Sequence, residues 1–195
     1  LDMRRIKLPA VIHAAADAVR PASAAKELTI AVDLDPQAGP ISGDPDRLQQ
    51  IVWNLLTNSV KFTNKGGRID VTLRSEGSDA VLCVKDTGIG ISSDLLPHVF
   101  ERFRQGVSSA SRMHGGLGIG LALVRHLMEM HGGTVTAHSD GDGKGAAFTL
   151  RIPMLGTRAV AEPSLQSADH STGVRGNNAL NGASILVVDD DQDAR

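Results

Sequence analysis

With 195 residues, 41% of them hydrophobic, the chain can bury the core of one full domain and part of a second. A net charge of −2 and an aromatic content of 3%, with one Trp and no Tyr, exclude bulk electrostatic binding of nucleic acid and argue against stacking platforms for single strands. The single cysteine, Cys83, cannot form an internal disulfide and fits a reducing compartment. It sits in the apolar run Ala80–Val84 and reads as buried filler. No apolar run is long enough to span a bilayer and no signal peptide opens the chain. A cytoplasmic location is therefore expected, with membrane attachment of a parent chain left open. The first residue is Leu1 rather than Met, so a piece of a longer protein is expected.

Residues 1–9 are mixed and basic and read as the tail of an upstream element. From Ala10 to Lys26, Val11, Ile12, Ala15, Val19 and Ala22 recur at helical spacing, with Pro9 suited to the helix start. His13 falls on this helix and reads as a surface residue without a charged partner. Leu28–Leu34 alternates as a strand. Pro36, Gly39, Pro40 and Gly43 then break the chain.

The stretch Asp44–Phe62 is a strong helix, with Asp44 as cap and Pro45 in its first turn. Leu48, Ile51, Val52, Leu55 and Leu56 form its apolar face. Asn54, Asn58 and Lys61 share one edge of it. Asn is a poor mid-helix residue because its amide competes for the backbone. Two of them beside a Lys are either a solvated polar edge or a metal-phosphate site, in which Asn oxygens suit Mg²⁺ and Lys supplies a point charge.

Asn64–Gly67 forms a turn, and Arg68–Glu76 with Ala80–Lys85 reads as a hairpin. The second strand ends at Asp86-Thr87-Gly88-Ile89-Gly90. A carboxylate there can accept a hydrogen bond from an exocyclic amine while the glycines let a flat ring approach; an Asx-type turn is the plainer reading. Ser92–Asp94 can cap a short helix, and Phe100 and Phe103 suggest a small apolar anchor. The stretch from Ile91 to His114, Ser-rich after Gly106, reads as a lid. His114 within it reads as solvated.

Gly115, Gly116, Gly118 and Gly120 lead straight into a helix carrying Leu117, Leu121, Val124, Leu127 and Met128. Glycine lets backbone N–H groups approach an anion, and the helix start adds unpaired donors and a positive dipole end. The combination is a phosphate seat, or else a flexible loop capping a helix. Gly132-Gly133 ends that helix. Thr134–His138 and Ala146–Ile152 are two further strands. The loop Ser139–Gly145 between them fails as a Ca²⁺ loop, since Lys144 and Arg151 occupy ligand positions; it reads as a hairpin turn. Residues 156–183 read as a flexible linker. Residues 184–195 turn apolar again and end in Asp189-Asp190-Asp191, a buried parallel-type strand followed by acids.

Taken in order, these motifs resemble one family, the catalytic ATP-binding domain of two-component sensor histidine kinases, of the Bergerat-type ATPase fold. Asp46–Thr63 resembles the N box, Asp86–Gly90 the G1 box, Phe100–Phe103 the F box and Gly116–Leu121 the G2 box. The resemblance covers roughly residues 8–153. It implies an α+β fold, a two-layer α/β sandwich with a mixed sheet and helices packed on one face. It implies ATP and Mg²⁺ as ligands. Asp86 should accept the adenine amino group, with Gly88 and Gly90 against the ring. Asn58 should ligate Mg²⁺, with Asn54 supporting it or sharing the metal, and Lys61 should touch phosphate. Gly116, Leu117, Gly118, Gly120 and Leu121 should wrap the triphosphate.

The chain departs from the family at three points. Gln105 stands where many members carry Arg, with Arg104 one residue earlier. Ser59 stands where Ala is usual. No phosphoacceptor His with its family context is present, and residues 1–7 resemble only the end of the region that bears it. Ile185–Asp190 resembles the first strand of a response-regulator receiver domain. The chain is thus expected to be a fragment of a hybrid kinase: 1–7 the upstream remnant, 8–155 the catalytic domain, 156–183 a linker and 184–195 a truncated receiver strand. The parent reaction is phosphoryl transfer from Mg·ATP to histidine and then aspartate. The fragment is expected to bind ATP without autophosphorylating. Its expected partners are a histidine-bearing dimerisation domain and a receiver domain. No nucleic acid and no direct membrane contact are expected, and the fragment should be a monomer within a homodimeric parent. The alternative is a degenerate nucleotide-binding module that regulates a partner. An ATP-driven clamp is disfavoured, because no Glu lies between Asp44 and Thr63.

Overall fold

The computed structural model describes residues 1–104 and 118–156. Gly115, Gly116, Leu117, Gln105, His114, the linker beyond its first residue and the receiver-like strand lie outside the described residues. The elements run β1 (Arg4–Ile6), α1 (Leu8–Ala25), β2 (Thr29–Leu34), β3 (Ile41–Gly43), α2 (Pro45–Phe62), β4 (Arg68–Glu76) and β5 (Asp79–Asp86). A single 3₁₀ turn (Leu96–His98) follows, then α3 (Gly120–Met130), β6 (Thr134–His138) and β7 (Ala146–Pro153).

The main sheet has the order β2-β4-β5-β7-β6. β2 and β4 are parallel and the other pairs antiparallel, so the mixed α+β sheet implied by the resemblance is present. Strand alternation explains its one-sided core. Ile69, Val71 and Leu73 of β4, Leu82 and Val84 of β5, and Phe148, Leu150 and Ile152 of β7 are buried. They join one cluster with Leu8, Ile12 and Val19 of α1, Leu48, Ile51, Leu55 and Leu56 of α2, and Val124 and Met128 of α3. Thr72, Cys83 and Thr149 lie side by side on the opposite face and are half-exposed. Cys83 is therefore not buried filler. Its apolar neighbours hide a period-two alternation that turns it outward.

The basic opening segment differs from its reading as an upstream tail. Residues 4–6 pair antiparallel with β3, Ile6 opposite Ile41, and Ile6 is buried in the core. Three residues are too few to show a period, and the partner strand is distant in sequence.

Asp44 caps α2 as expected, accepting the N–H groups of Asp46 and Arg47. It also accepts the Asp2 N–H at 2.9 Å. Asp2, Arg47 and Asp46 together hold its carboxyl below the ordinary carboxylate range. Its own N–H donates to Nε2 of buried His131 at 3.0 Å, and the His131 Nδ1 lies 2.6 Å from the Leu127 carbonyl. One ring thus joins the start of α2 to the end of α3, with Nδ1–H as donor and Nε2 as acceptor. His131→Ala leaves the Asp44 N–H unpaired and a cavity behind. It is expected to cost about 2–4 kcal/mol, checked by urea unfolding.

Candidate functional site

The site is built on α2. Asn54, Asn58 and Lys61 share one edge and are half-buried. The Asn54 Nδ2 is buried and has no hydrogen-bond partner among the described residues, as has the Thr57 Oγ1. Buried amide donors are almost always paired, so an unpaired one beside an open edge marks a place for a ligand atom or water. The start of α3 faces this edge. A Cβ on Gly120 would lie 3.4 Å from Asn54 Oδ1 and 4.0 Å from Asn58 Nδ2. The packing of α2 against α3 thus brings a helix start, with its N–H groups and the positive end of its dipole, to two Asn side chains. Lys61 Nζ lies 4.8 Å from the Phe62 ring centroid, a cation–π distance. Leu121 of α3 packs against the core.

The C-terminal end of α2 is held by a residue that sequence reasoning passed over. Lys26 Nζ donates to the carbonyls of Val60, Lys61 and Thr63 at 2.8, 2.8 and 3.1 Å. Ile89 N–H takes the remaining Phe62 carbonyl at 3.1 Å. A cation at a helix C-terminus also complements the dipole. No local signal marks Lys26, because its acceptors lie more than thirty residues away in sequence.

Asp86 ends β5 facing the core and is 5% exposed. Its Oδ1 accepts the N–H of Gly88 at 2.9 Å and of Ala146 at 3.2 Å. Its Oδ2 accepts from Ser59 Oγ at 3.3 Å. Burial pushes the carboxyl above its ordinary range, against these three donors. Ser59 directly follows Asn58 on α2, so the acceptor and the Asn edge share one rigid helix.

The G1 glycines answer to backbone neighbours first. A Cβ on Gly88 would lie 2.5 Å from the Phe62 carbonyl oxygen. Gly90 has φ +74°, and its Cβ would lie 2.0 Å from the Gly141 oxygen. The expectation that both serve a flat ring thus acquires a prior cause, the close approach of two chain segments. The loop Ser139–Gly145 is more than a hairpin turn. Gly143 N–H donates to the Ile89 carbonyl at 2.6 Å and Gly145 N–H to that of Gly88 at 3.1 Å. Ile91 N–H donates to Ser139 Oγ at 3.0 Å. Its run of three glycines was the available signal, legible as a turn but not as a wall of the G1 box.

Phe100 and Phe103 do not act as a pair. Phe100 meets Phe148 edge-on, with ring centroids 6.4 Å apart. Phe103 is 71% exposed, and its N–H donates to the Gly118 carbonyl at 3.0 Å. This bond joins the F box to the G2 box. The structure thus brings Asn54 and Asn58 to Gly120, and Gly88 and Ser59 to Asp86. Gly116 and Leu117 lie outside the described residues.

Among the described residues, no three His, Cys, Asp or Glu side chains converge on a point that could hold a metal ion. A Mg²⁺ held by one or two Asn oxygens and completed by phosphate and water is compatible with such a site, while the unpaired Asn54 Nδ2, a donor, suits a phosphate oxygen or a water rather than the metal. Among the described residues, no helix is long and apolar enough to cross a membrane.

The model of the family described as histidine kinase-, DNA gyrase B- and HSP90-like ATPase matches residues 43–156. The chain is 38% identical to sensor histidine kinase RppB of Synechocystis sp. over 135 residues, covering 66% of this chain and 30% of that protein. It is 38% identical to hybrid signal transduction histidine kinase D of Dictyostelium discoideum, covering 59% of this chain and 9% of that one. The chain thus spans less than a third of either relative. Full-length ShkA in complex with AMPPNP superimposes with a TM-score of 0.68 at 29% identity, covering 78% of this chain and 31% of that structure.

Proposed function

The chain belongs to the histidine kinase-, DNA gyrase B- and HSP90-like ATPase family, as an ATP-binding catalytic domain of histidine kinases, and from that premise we propose that it binds Mg·ATP and donates the γ-phosphoryl group to a histidine on a separate dimerisation domain. The observation that carries this reading is Asp86, a buried acceptor with one oxygen saturated and the other within reach of Ser59 on the helix that bears Asn54 and Asn58.

In this reading Asp86 Oδ2 accepts the adenine amino group, and Gly88 and Gly90 lie along the ring. Asn58 and Asn54 hold the metal, and Lys61 meets phosphate. Gly118, Gly120 and Leu121 present backbone N–H groups to the triphosphate, with Gly116 and Leu117 completing the set. Mg²⁺, when bound, neutralises charge on the phosphate oxygens. The chain's own task is to orient the γ-phosphoryl group and offset its charge, since phosphoryl transfer asks little covalent chemistry of the protein. The domain boundaries are read the same way: 8–155 as the catalytic domain, 1–7 as the approach from the dimerisation region, with residues 4–6 paired onto the domain as β1, 156–183 as a linker and 184–195 as the start of a receiver. A cytoplasmic setting and a dimeric parent follow from it.

Calorimetric titration of the full chain with ATP, with and without Mg²⁺, tests the proposal. A Kd between ~1 µM and ~1 mM is expected. Asn58→Ala is expected to remove most of the Mg²⁺ dependence, leaving metal-free ATP affinity within about threefold. Phosphate transfer to an added histidine-bearing dimerisation domain then separates a kinase from a regulatory module. No binding at several millimolar ATP would refute the proposal.

A further inference from the structure

We propose that the Ser59 hydroxyl is a specificity-determining group of the base pocket, holding Asp86 as an oriented acceptor that takes a 6-amino purine and rejects a 6-oxo purine. The inference rests on the reading of Asp86 as the base acceptor and adds a residue that this reading does not use.

The two carboxylate oxygens of Asp86 stand in different surroundings. Oδ1 receives two backbone N–H groups, from Gly88 in the G1 turn and from Ala146 at the start of β7. Two separate chain segments therefore pin the carboxylate plane, and the capacity of Oδ1 is spent. Among the described residues, Oδ2 has a single protein donor, the Ser59 hydroxyl at 3.3 Å. Ser59 is 1% exposed, so packing rather than solvent sets where its hydroxyl sits. With Oδ1 saturated, Oδ2 is the oxygen left to meet a base.

The chemistry of Oδ2 decides which base fits. As an unprotonated oxygen it accepts from an exocyclic amine, and it repels a carbonyl oxygen at the same place. Protonated, it becomes a donor and suits the carbonyl. Burial favours the protonated form and the three donors oppose it. Ser59 is the donor that acts on Oδ2 itself. Its removal leaves that oxygen buried and unpaired, the situation that most favours taking up a proton. The sequence agrees, since a buried hydroxyl between Asn58 and Val60 has no role in helix formation, and it donates to Asp86.

The test compares ATP with ITP, which carries a 6-oxo group in place of the 6-amino group. Both are titrated with Mg²⁺ at pH 7 into the full chain and into Ser59→Ala, whose smaller side chain suits the same helix. The expected result is a fall of about five- to twentyfold in the ATP-to-ITP affinity ratio, through weaker ATP and equal or tighter ITP binding. Partial unfolding scales both affinities alike and leaves the ratio unchanged, so a merely structural role does not reproduce it. An unchanged ratio overturns the inference, while ATP binding that still depends on Asp86 keeps the acceptor reading intact. The same fall measured in the Asp86→Asn background also overturns it, because the hydroxyl would then act without Asp86. Absence of ATP binding by the unaltered chain overturns both.

Discussion

Asp86→Asn is expected to weaken ATP binding by about 10–100-fold while leaving the fold at least as stable as the unaltered chain. The affinity figure follows from loss of a hydrogen bond to a charged acceptor, worth roughly 1.5–3 kcal/mol. The stability claim follows from the surroundings of the carboxylate. Asn can keep its Oδ1 on the Gly88 and Ala146 N–H groups and turn its amide toward Ser59 Oγ. Burial holds the Asp86 carboxyl above its ordinary range. A carboxyl raised in this way favours the fold fully below its unfolded pKa, and the contribution is lost as pH rises through the folded value. At neutral pH the charge therefore opposes folding, and Asn removes the opposition. The unfolding midpoint of the variant should equal or exceed that of the unaltered chain at pH 7, and the difference should shrink toward pH 4. Denaturant unfolding at both pH values, with calorimetry on the same samples, checks the pair of claims. A variant that unfolds well below the unaltered chain at pH 7, or keeps its ATP affinity, would contradict them. The function–stability opposition is physical in origin: an acceptor strong enough to choose a base must be charged, and a site dry enough to make that choice penalises charge.

The second large effect is expected at Gly90. A side chain there meets both a left-handed backbone, φ +74°, and the Gly141 carbonyl oxygen at 2.0 Å from an ideal Cβ. Left-handed strain costs Ala about 1–2 kcal/mol, and forcing backbone apart adds about 1–3 kcal/mol. Gly90→Ala is thus expected to destabilise the domain by about 2–5 kcal/mol and to weaken ATP binding as the G1 turn moves off the Ser139–Gly145 loop. Gly143 supplies the comparison, because it has the same φ of +74° but nothing within 4 Å of its Cβ position. Gly143→Ala should cost about 1–2 kcal/mol. Equal losses for the two variants in urea unfolding would show that the contact with Gly141 does not govern the turn.

The elements legible in the sequence were those whose signal lies within a few residues. The α2 helix announced itself by its cap and its apolar period, and the cap bonds to Asp46 and Arg47 are present. The β4–β5 hairpin was legible from alternation and a short turn. The ordered boxes identified the family, because four motifs at fixed order are far more specific than any one. Signals failed where they were short or masked by composition. Residues 4–6 are too few for periodicity. The apolar letters around Cys83 concealed an outward position. Phe103, one of two similar aromatics, is exposed while Phe100 is packed.

By itself, the sequence determined the family, the three helices and the five strands of the main sheet in their order, though not the small β1–β3 pair, and the residue types offered to a nucleotide: Asp86, Asn54, Asn58, Lys61 and the glycines. Only the tertiary structure decided which atoms of those residues are committed and which remain available. It spent Asp86 Oδ1 on Gly88 and Ala146, gave Oδ2 to Ser59, left the Asn54 amide beside Gly120, and drew Lys26 and His131 into the supports of α2. The physical reason is range. Periodicity, caps and turns are set by neighbours within one or two turns of chain, whereas the bonds that shape this site join residues 27, 60 and 87 positions apart, and such partners meet only after the sheet and helices have packed.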